Sequence, residues 1–387
     1  MRCVLITKWV PWPPNSGEKR RTLAIARALL SIGDVTLCGF VGPNEDAQPL
    51  IDEGFDVRSV PIQRSVSQTI RGVMMSRSIT AGRFWDARLD AQIADAGSTP
   101  FDVVVVEHVQ LQMYARKLRS RVRVVDMHNI ESLLSQRISD TKAGLWKLVY
   151  AVEARRLEAL EKQTATSDIV LVVSAADRVA LTRVVTHPSV VVVPNAWDST
   201  GVVAPATAPI VSFVALLSWG PNVDAAVWFC SNVWPLVVAA MPEAMLQLVG
   251  RDPAPDVQQF ASESVIVTGT VADLEPWYHK TLVAVAPLLA GGGSRLKIME
   301  ALAAGRPLVA TTIGAEGLED LVGRGVVVAD RPRDMADEIV ALLSDPEGSK
   351  ALGAAGARAV AEDHSWEAAV APFINTLKSR VGSGEAA

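Results

Sequence analysis

Short apolar runs alternate with helix-like segments along almost the whole chain, and this alternation limits the possible folds more than any other feature. The run Asp102–Glu107 contains four consecutive valines, and Arg121–Asp126 and Ile169–Val173 are further predicted strands. Apolar runs of this length indicate strands buried on both faces, as in a parallel sheet covered by helices. The pattern therefore predicts an α/β protein built from doubly wound sheets.

One segment interrupts the alternation. Residues 198–209 are rich in Ser, Thr, Gly, Ala and Pro, a composition typical of linkers. A second series of strands follows this segment, with a helix predicted over 224–240. With 387 residues the chain is long enough for two or three domains. We expect a first domain over 1–200, a second over 208–365, and a segment 366–387 whose helix packs back on the first domain.

Charge, cysteine content and the N-terminus narrow the class of protein. The formal net charge of -5 at pH 7 argues against a general nucleic-acid-binding protein, which needs a basic surface. Cys3, Cys38 and Cys230 lack paired spacing, so we expect buried thiols and neither a disulfide framework nor a zinc site. The N-terminus reads as a strand rather than a signal peptide. These features predict a cytoplasmic protein.

A glycine-rich stretch in the second half, Pro287–Leu318, is the main candidate binding site. Its three glycines end an apolar run and precede a helix, so backbone N–H groups at a helix N-terminus are available to an anion. The same turn is common in α/β proteins that bind nothing there. The residues that favour a ligand are Gly291, Gly292, Gly293, Ser294, the cations Arg295 and Lys297, and the carboxylate Glu300.

A second predicted strand follows this helix and ends in Thr311 and Thr312. The carboxyl ends of neighbouring parallel strands share one edge of a sheet, where ligands of this architecture bind. We therefore expect the two loops to lie side by side. A negatively charged, hydroxylated ligand such as a nucleotide sugar fits this combination.

Charged residues and histidines also mark the first half. Lys19, Arg20 and Arg21 lie in the first turns of a helix predicted over about 18–31, where the helix dipole disfavours cations unless an anion is near. A solvated helix face is the alternative. His128 and His108 each follow a predicted strand closely, a position that suits hydrogen bonding or proton transfer, with a purely structural role as the alternative.

The segment Arg64–Arg88 combines arginines with methionines and aromatic residues. This composition is typical of a membrane-surface contact or of a cover over a bulky acceptor. Its irregular apolar spacing favours a partly covered helix pair instead. Peripheral contact with the inner face of a membrane is the alternative to a purely cytoplasmic location.

Several common motifs are missing from the sequence. Neither a G-x-G-x-x-G after the first strand nor a P-loop occurs, which argues against dinucleotide dehydrogenases and P-loop nucleotidases. There is no D-x-D pair to hold a metal on a nucleotide diphosphate and no G-x-S-x-G elbow. The pattern therefore predicts a metal-independent site, in which Arg, Lys and backbone dipoles neutralise the phosphates.

Taken together, the motifs resemble those of the retaining glycosyltransferases of family 4, which have the GT-B arrangement of two Rossmann-like domains facing a central cleft. The glycine triplet followed by R-L-K is similar to one branch of that family. The matching motifs span nearly the whole chain: Pro14–Gly17, His128–Glu131, Val193–Asn195, Pro221–Ala225, Val249–Arg251, Gly269–Val271 and the stretch through Leu318.

The resemblance implies a role for each matched residue. Glu300 corresponds to the second glutamate of the family's paired-glutamate motif, which holds the nucleotide ribose, and Arg295 and Lys297 occupy the loop nearest the diphosphate. His128 corresponds to the histidine beside the transferred sugar. The remaining donor-side residues are Gly17, Gly250, Arg251, Thr270, Val271, Thr311 and Thr312, and the acceptor-side residues are His108, Asn129 and Glu131.

Two departures from the family pattern affect the prediction. The family's first glutamate, eight positions before the second, is replaced here by Gly292. The glycine and basic residues usual after the first strand of the second domain are also missing, since Val211–Pro221 has only Ala, Ser and Trp at the relevant positions. We therefore expect Arg295 and Lys297 to carry more of the leaving-group stabilisation than usual.

The expected activity is transfer of a sugar from a nucleotide diphosphate to an acceptor hydroxyl, with retention at the anomeric carbon and no cofactor. The resemblance implies that a phosphate oxygen takes the acceptor proton, so that no carboxylate base is required. A glycan, a lipid carrier or a small-molecule aglycone all fit as the acceptor. The alternatives are a GT-B sugar-nucleotide epimerase or hydrolase, and a non-catalytic nucleotide-sugar-binding partner subunit.

Overall fold

The computed structural model describes residues 1–43, 45–63, 65–198, 206–290 and 296–383. They form two compact units, Met1–Pro194 together with the segment that begins at Trp366, and Asn195–Ser365. Each unit contains one parallel sheet with helices packed against it. The predicted fold class, two doubly wound α/β units, is confirmed.

The sheet of the first unit has seven strands: β1 Arg2–Trp9, β2 Asp34–Val41, β3 Asp56–Pro61, β4 Phe101–Glu107, β5 Ser120–Met127, β6 Ile169–Val172 and β7 Val190–Val192. All of them are parallel, in the order β3-β2-β1-β4-β5-β6-β7. The chain changes direction across the sheet between β1 and β4. In open α/β sheets, ligands bind beyond the carboxyl ends of the strands at such a point.

Helices cover both faces of this sheet: α1 Gly17–Leu30, α2 Gln48–Asp52, α3 Val66–Ser76, α4 Ile79–Gly82, α5 Ala87–Ala96, α6 Gln112–Ala115, α7 Glu131–Thr141, α8 Gly144–Glu161 and α9 Ala175–Thr182, with 3₁₀ turns at Val109–Leu111 and Lys162–Thr166. Alternate valines of β4 point to opposite faces, as strand geometry requires. Val103 is buried with Leu29 of α1, and Val104 is buried with Leu89 of α5. The four-valine run therefore forms a strand that is covered on both faces, as predicted.

The sheet of the second unit has six parallel strands: β8 Ile210–Val214, β9 Met245–Val249, β10 Val265–Val267, β11 Val283–Ala286, β12 Leu308–Ala310 and β13 Val326–Val328. Their order is β10-β9-β8-β11-β12-β13. The change of direction lies between β8 and β11. The glycine-rich stretch therefore begins at the switch point of the sheet, because it follows β11.

The helices that follow β8 are α10 Gly220–Asn232, α11 Trp234–Ala240, α12 Pro255–Gln258, α13 Glu275–Lys280, α14 Leu296–Ala303, α15 Thr312–Ala315, α16 Pro332–Ser344, α17 Pro346–Asp363 and α18 Trp366–Ser383, with a 3₁₀ turn at Glu319–Leu321. The sequence predicts one helix over 224–240, and this is wrong. The helix begins four residues earlier and breaks at Val233, because Pro235 has no N–H to bond the preceding turn.

Residues 220–240 are long and apolar enough to cross a membrane by length and composition alone. Phe229, Val233 and Val237 are fully buried in the core of the second unit. A core helix of a globular domain has this pattern as well, so the composition is weak evidence for a membrane span.

Helix α18 belongs to the first unit although it follows the second in sequence. Its Phe373 and Leu377 are fully buried in the same core as Leu29 of α1. Complete burial of such a side chain contributes about 2 kcal/mol to the free energy of unfolding. Helix α18 therefore adds substantially to the stability of the first unit. The three cysteines are free and buried, as expected.

Candidate functional site

The carboxyl edge of the first sheet carries a buried network of charged side chains. Glu107 is the last residue of β4 and Asp126 the second-last of β5, and neither carboxylate has any exposed surface. Helix α1 begins beyond β1 and brings Glu18 and Arg21 into the same network. Since a buried carboxylate is costly unless it is paired, the partners of these two acids define the site.

Arg21 is the main partner of Asp126. Its Nε and Nη2 donate to the two carboxylate oxygens at 3.0 and 2.6 Å, and Nη1 donates to the Val193 carbonyl oxygen at 2.7 Å. Both side chains are essentially inaccessible to solvent. Lys19, two residues earlier, is also buried and contacts Glu45 Oε1 at 2.6 Å. The solvated-face interpretation of these two cations is therefore wrong, because the anions that compensate them are side chains of the protein itself.

His128 lies between two buried carboxylates. Its Nε2 is 3.0 Å from Asp126 Oδ2 and 3.6 Å from Glu107 Oε1, and the other oxygen of Glu107 accepts a hydrogen bond from Thr22 Oγ1 at 2.8 Å. Burial alone would lower the pKa of His128, but the negative charge of Asp126 and then that of Glu107 outweigh it and raise the pKa to about 9. The ring is therefore an imidazolium at neutral pH.

The same charges act on Asp126 in the opposite sense. Burial alone would raise the pKa of Asp126, but Arg21 and His128 hold it well below its usual range. Arg21, Asp126 and His128 thus form a buried, mutually charged triad. Such a group fixes the orientation of the imidazole.

His108 is the second imidazole of the network, with its ring centroid 4.0 Å from that of His128. Its Nε2 is 2.8 Å from Glu18 Oε1, and its Nδ1 is 3.8 Å from Glu131 Oε1. The backbone of His108 has φ 63° and ψ 137°, a conformation that costs a non-glycine residue about 1–3 kcal/mol. Strain of this kind is concentrated at functional positions, which supports a role beyond packing.

The carboxylates around His108 are also stabilised in their charged form. Burial alone would raise the pKa of Glu18, but the Lys8 charge and the bond from His108 hold it below its usual range. Burial alone would also raise the pKa of Glu131, but the hydrogen bond from His108 and the charge of Lys8 outweigh burial and lower the pKa to about 2. The acceptor-side prediction thus includes two residues, His108 and Glu131, that belong to one buried cluster.

Among the described residues, this network contains two groups of three potential metal ligands, and within each group the ligand atoms lie within 4.8 Å of one another. The groups are Glu18, His108 and His128, and Glu107, Asp126 and His128. The second group does not suit a metal, because Arg21 already occupies both oxygens of Asp126 and a protonated His128 is not a ligand. The first group also needs His128. A metal ion in either group would therefore have to displace the proton of His128.

Two other predicted residues lie at the rim of this network. Asn129 is partly exposed and follows His128, just before α7. Gly17 is the first residue of α1, whose N-cap Ser16 accepts a hydrogen bond from the Lys19 amide. The predicted first-half residues therefore lie at or next to one edge of the sheet.

In the second unit, Lys297 lies in the first turn of α14. Its Nζ donates to Asn222 Oδ1 at 2.7 Å and lies 5.0 Å from the centre of the Phe213 ring. Asn222 belongs to the first turn of α10 and is itself buried. Two helix N-termini, each with positive potential, are thus joined by a lysine at the switch point of the sheet, an arrangement that attracts an anion.

Glu300 lies one turn farther along α14 and is partly exposed. Its Oε2 is 3.4 Å from the hydroxyl of Tyr278, a long hydrogen bond. Tyr278 is buried, and its pKa is raised well above the ordinary value by burial and then by the Glu300 charge. Tyr278 therefore remains a neutral donor that holds the Glu300 carboxylate in place.

Thr311 and Thr312 are committed to the protein itself in this structure. Thr311 Oγ1 donates to the Leu288 carbonyl oxygen at 2.6 Å and caps α15 by accepting from the Gly314 amide at 2.9 Å. The amide and hydroxyl of Thr312 both donate to Asp330, each at 2.7 Å. Their predicted contact with a ligand stays a prediction, and their visible function is to fix the loop after β12.

The residues predicted around the base follow β9 and β10. Gly250 has no space for a side chain, because a Cβ atom there would lie 1.7 Å from the Ala215 carbonyl oxygen. Arg251 and Thr270 are exposed, and Val271 is partly exposed. All four are thus at the surface beyond the strand ends. Gly291, Gly292, Gly293, Ser294 and Arg295 lie outside the described residues.

Sequence reasoning missed the partners that hold these residues. In the first unit these are Glu18 and Asp126, and in the second Asn222 and Tyr278. The sequence singled out Arg21 as a cation that needs a nearby anion, but it did not identify Asp126 as that anion. Asn222 lies in a motif noted in the sequence, but nothing local indicates that it meets Lys297, which is 75 positions away.

Sequence comparison finds a similar family for part of the chain. Residues 208–345 match the family described as glycosyl transferases group 1. An uncharacterized 44.6 kDa protein in the cps region of Klebsiella pneumoniae is 24% identical over 151 residues, which are 37% of this chain and 39% of that protein. The match thus spans about two fifths of this curated relative.

Several solved structures resemble most or nearly all of the chain. Sucrose-phosphate synthase from Thermosynechococcus elongatus has a TM-score of 0.71 and 18% identity, covering 99% of both chains. Anabaena HepE in complex with UDP and glucose has a TM-score of 0.68 and 14% identity, covering 98% of this chain and 100% of that chain. A Staphylococcus aureus TarM mutant with fondaparinux, alpha-GlcNAc-glycerol and UDP has a TM-score of 0.62 and 15% identity, covering 75% and 59%. The chain therefore has the GT-B fold, and residues 208–345 of its second unit match the glycosyl transferases group 1 family.

Proposed function

We propose that this GT-B protein is a glycosyltransferase that moves a sugar from a nucleotide diphosphate to an acceptor hydroxyl, with retention at the anomeric carbon, as in family 4. The observation that carries the proposal is the start of α14. Lys297 joins two helix N-termini at the switch point of the second sheet, within the segment that matches glycosyl transferases group 1. A diphosphate leaving group needs such an arrangement of positive potential.

The transfer breaks the bond between the anomeric carbon and the phosphate oxygen and forms a bond to the acceptor oxygen. The acceptor proton passes to the departing phosphate oxygen, so the sum of charges is conserved without a carboxylate base. We assign Lys297 and Arg295 to the charge that develops on the diphosphate, together with backbone N–H groups of the glycine triplet. Each preorganised donor of this kind contributes about 3 kcal/mol to lowering the barrier.

We assign Glu300 to the nucleotide ribose. Two features support this role: the carboxylate is partly exposed, and Tyr278 holds it in place from the buried side. A carboxylate accepts hydrogen bonds from two vicinal hydroxyls, which a ribose offers. Gly250, Arg251, Thr270 and Val271 are proposed to surround the base.

We assign His128 to the transferred sugar, with the acceptor-side residues His108, Asn129 and Glu131 in the same unit. As an imidazolium fixed by Asp126, His128 supplies a positive charge and a hydrogen-bond donor to a sugar oxygen. Neither role requires a metal. A metal-independent, cofactor-independent reaction is therefore part of the proposal, supported by the absence of a D-x-D motif and by the donor set around His128.

UDP-sugars are the first donors to test, because HepE and the TarM mutant were solved with UDP. A trehalose-6-phosphate protein from E. coli, with a TM-score of 0.61 and 12% identity, was solved with UDP-2-fluoro glucose. We accordingly propose hexose transfer. The acceptor is proposed to be a glycan, a lipid carrier or a small-molecule aglycone, and the reaction to take place in the cytoplasm.

The test is a screen of nucleotide diphosphates by thermal shift, followed by assays of donor consumption with and without an acceptor panel. A nucleotide present at 100 times its dissociation constant should stabilise the protein by about 2.7 kcal/mol. Consumption that depends on an acceptor supports transfer. Release of free or epimerised sugar without an acceptor would indicate a hydrolase or epimerase, and tight binding without turnover a partner subunit.

A further inference from the structure

About half of the large apolar side chains that the described part of the chain exposes lie in two short segments of the first unit, helix α3 with the start of α4, and the first turns of α8. In α3, Val66, Ile70 and Met74 are 78, 56 and 77% exposed, and they recur every four residues, on one face. In α8, Leu145 and Leu148 are 73 and 61% exposed on one stripe. Each segment thus presents an apolar stripe to the outside.

Helix α3 has the reverse of the usual orientation. A surface helix normally buries its apolar stripe and exposes its polar face. Here the buried residues are Gly72 and Ser76, and a Cβ on Gly72 would lie 2.2 Å from the Gly82 carbonyl oxygen. The helix therefore packs on α4 through its smallest residues, at close range, and its apolar face remains outside.

The two segments are joined at one point. Glu153 of α8 is buried and accepts hydrogen bonds from the Ser78 hydroxyl and from the amides of Ile79 and Thr80. Ile79 is 45% exposed, and Val152, next to Glu153, is 38% exposed. The apolar stripes of α3 and α8 therefore meet near this junction. We call the combination, residues 66–79 with 145–152, the basic-apolar surface.

The charges of this surface have one sign. Residues 66–79 contain Arg71 and Arg77, residues 145–152 contain Lys147, and neither range contains Asp or Glu, whereas the whole chain has a net charge of -5. Of the nearby carboxylates, Asp86 and Glu153 are buried and hydrogen-bonded, Asp56 pairs with Arg58 outside this surface, and Asp140 is exposed. A positive, apolar surface on an acidic protein is complementary to an acidic, apolar partner.

We propose that the basic-apolar surface docks on the surface of an anionic lipid bilayer. Exposed Trp, Leu, Ile and Met side chains enter the boundary between head groups and acyl chains, while arginines and lysines contact anionic head groups. A second copy of the chain does not suit this surface, since a symmetric contact would place equal positive charges against each other. The inference does not depend on the proposed sugar transfer.

The experiment is flotation of the full chain with vesicles of phosphatidylcholine alone and of phosphatidylcholine with about 30% phosphatidylglycerol. We expect roughly 10-fold more bound protein on the anionic vesicles, and a loss of most of this difference when salt is raised to about 0.5 M. Equal binding to both vesicles, or none to either, would overturn the proposal.

Two variants and one control locate the contact. Ile70→Asp and Trp146→Asp should each lower binding to anionic vesicles by about 5-fold or more, because each adds a negative, polar group to the interface. Val179→Asp is the control, since Val179 is exposed to the same 56% as Ile70 but lies on α9. Unchanged binding of Ile70→Asp and Trp146→Asp would contradict the proposal. So would a dimer in sedimentation analysis that Ile70→Asp dissociates without any vesicle binding by the parent chain.

Discussion

The two sheets place polar residues at equivalent edges, but the two edges differ in how their charges are compensated. At the edge of the first sheet, His128, Asp126, Glu107 and Arg21 compensate one another inside the protein. At the edge of the second, Lys297 contacts a neutral amide, Asn222, and lies over an aromatic ring. In the first region buried opposite charges stabilise one another, whereas in the second a lysine meets a neutral amide at two helix N-termini. Changes to the charges of the first region should thus affect folding as well as turnover, and a change of Lys297 mainly turnover.

The largest expected effect is that of Arg21→Met. It leaves Asp126 buried with only His128 as a charged partner, and removing one member of a buried pair costs about 3–5 kcal/mol. Unfolding in urea should show a loss of this size. Arg27→Met is the matched control on the same helix, because Arg27 makes an equally bidentate pair with Glu53 but is half-exposed.

An exposed pair contributes about 0–1 kcal/mol, so Arg27→Met should change the unfolding free energy by no more than that. Similar losses in Arg21→Met and Arg27→Met would contradict the distinction between a buried and a solvated pair. Such a result would also remove the reason for treating the buried charges of the first region as a stabilising network.

The second prediction concerns Lys297→Ala. Turnover should fall by about 100- to 1000-fold, as when one preorganised donor to a developing oxyanion is removed, while the unfolding midpoint changes little. Lys280→Ala is the control, since Lys280 is an exposed lysine of the same unit that lies over Trp277. If Lys297→Ala keeps its rate but unfolds early, the second region is structural as well and the contrast fails.

The sequence predicts the strands and the residues at the strand ends well, because these follow from local patterns. The switch points follow from the strand order, which only the structure gives. His128, Lys297 and Glu300 belong to short motifs, and each lies where a parallel sheet exposes its edge. Their partners depend on tertiary structure: Arg21 and Asp126 are 105 positions apart. No local pattern specifies such a pair, so the network could not be predicted.

One other difference between prediction and structure has a local cause, and another does not. The break at Val233 follows from Pro235, so the sequence contained this information although the prediction did not use it. The outward apolar face of α3 could not be predicted in this way. It depends on the close approach of Gly72 to Gly82, which is a property of the packed helices. For this reason the sequence of Arg64–Arg88 alone could not decide between membrane contact and a partly covered helix pair.

A third prediction separates the regions by pH. The pKa of His128 is about 9 in the folded protein and about 6.5 in an unfolded chain, so the folded state binds this proton more tightly. The stabilisation is fully present below about pH 6.5 and is lost as the pH rises through about 9. It is worth up to about 3 kcal/mol.

The measurement is the unfolding free energy of the parent chain and of His128→Gln between about pH 6 and 10. The difference between the two should shrink toward high pH. A difference that is constant over this range would show that His128 does not exchange a proton with the network, and that Asp126 is compensated by Arg21 alone.

The smallest expected effect is that of Glu300→Gln. The variant keeps the shape of the side chain but weakens two hydrogen bonds to a ribose, so the KM for the donor should rise by about 5- to 30-fold, equivalent to about 1–2 kcal/mol. Initial rates over a range of donor concentrations give this value. Tyr278→Phe should have a smaller effect on KM, since Tyr278 acts through Glu300, and the opposite order would assign the ribose contact to Tyr278.

The central claim, made as a proposal, is that the chain catalyses a retaining sugar transfer that depends on Lys297. Its most direct test is the NMR spectrum of the product formed from an α-linked UDP-sugar and an acceptor by the parent chain, with Lys297→Ala alongside. The account predicts a new α-glycosidic linkage, identified by its anomeric coupling, and almost no product from Lys297→Ala. A β-linked product, or free sugar that forms equally without an acceptor, would contradict it.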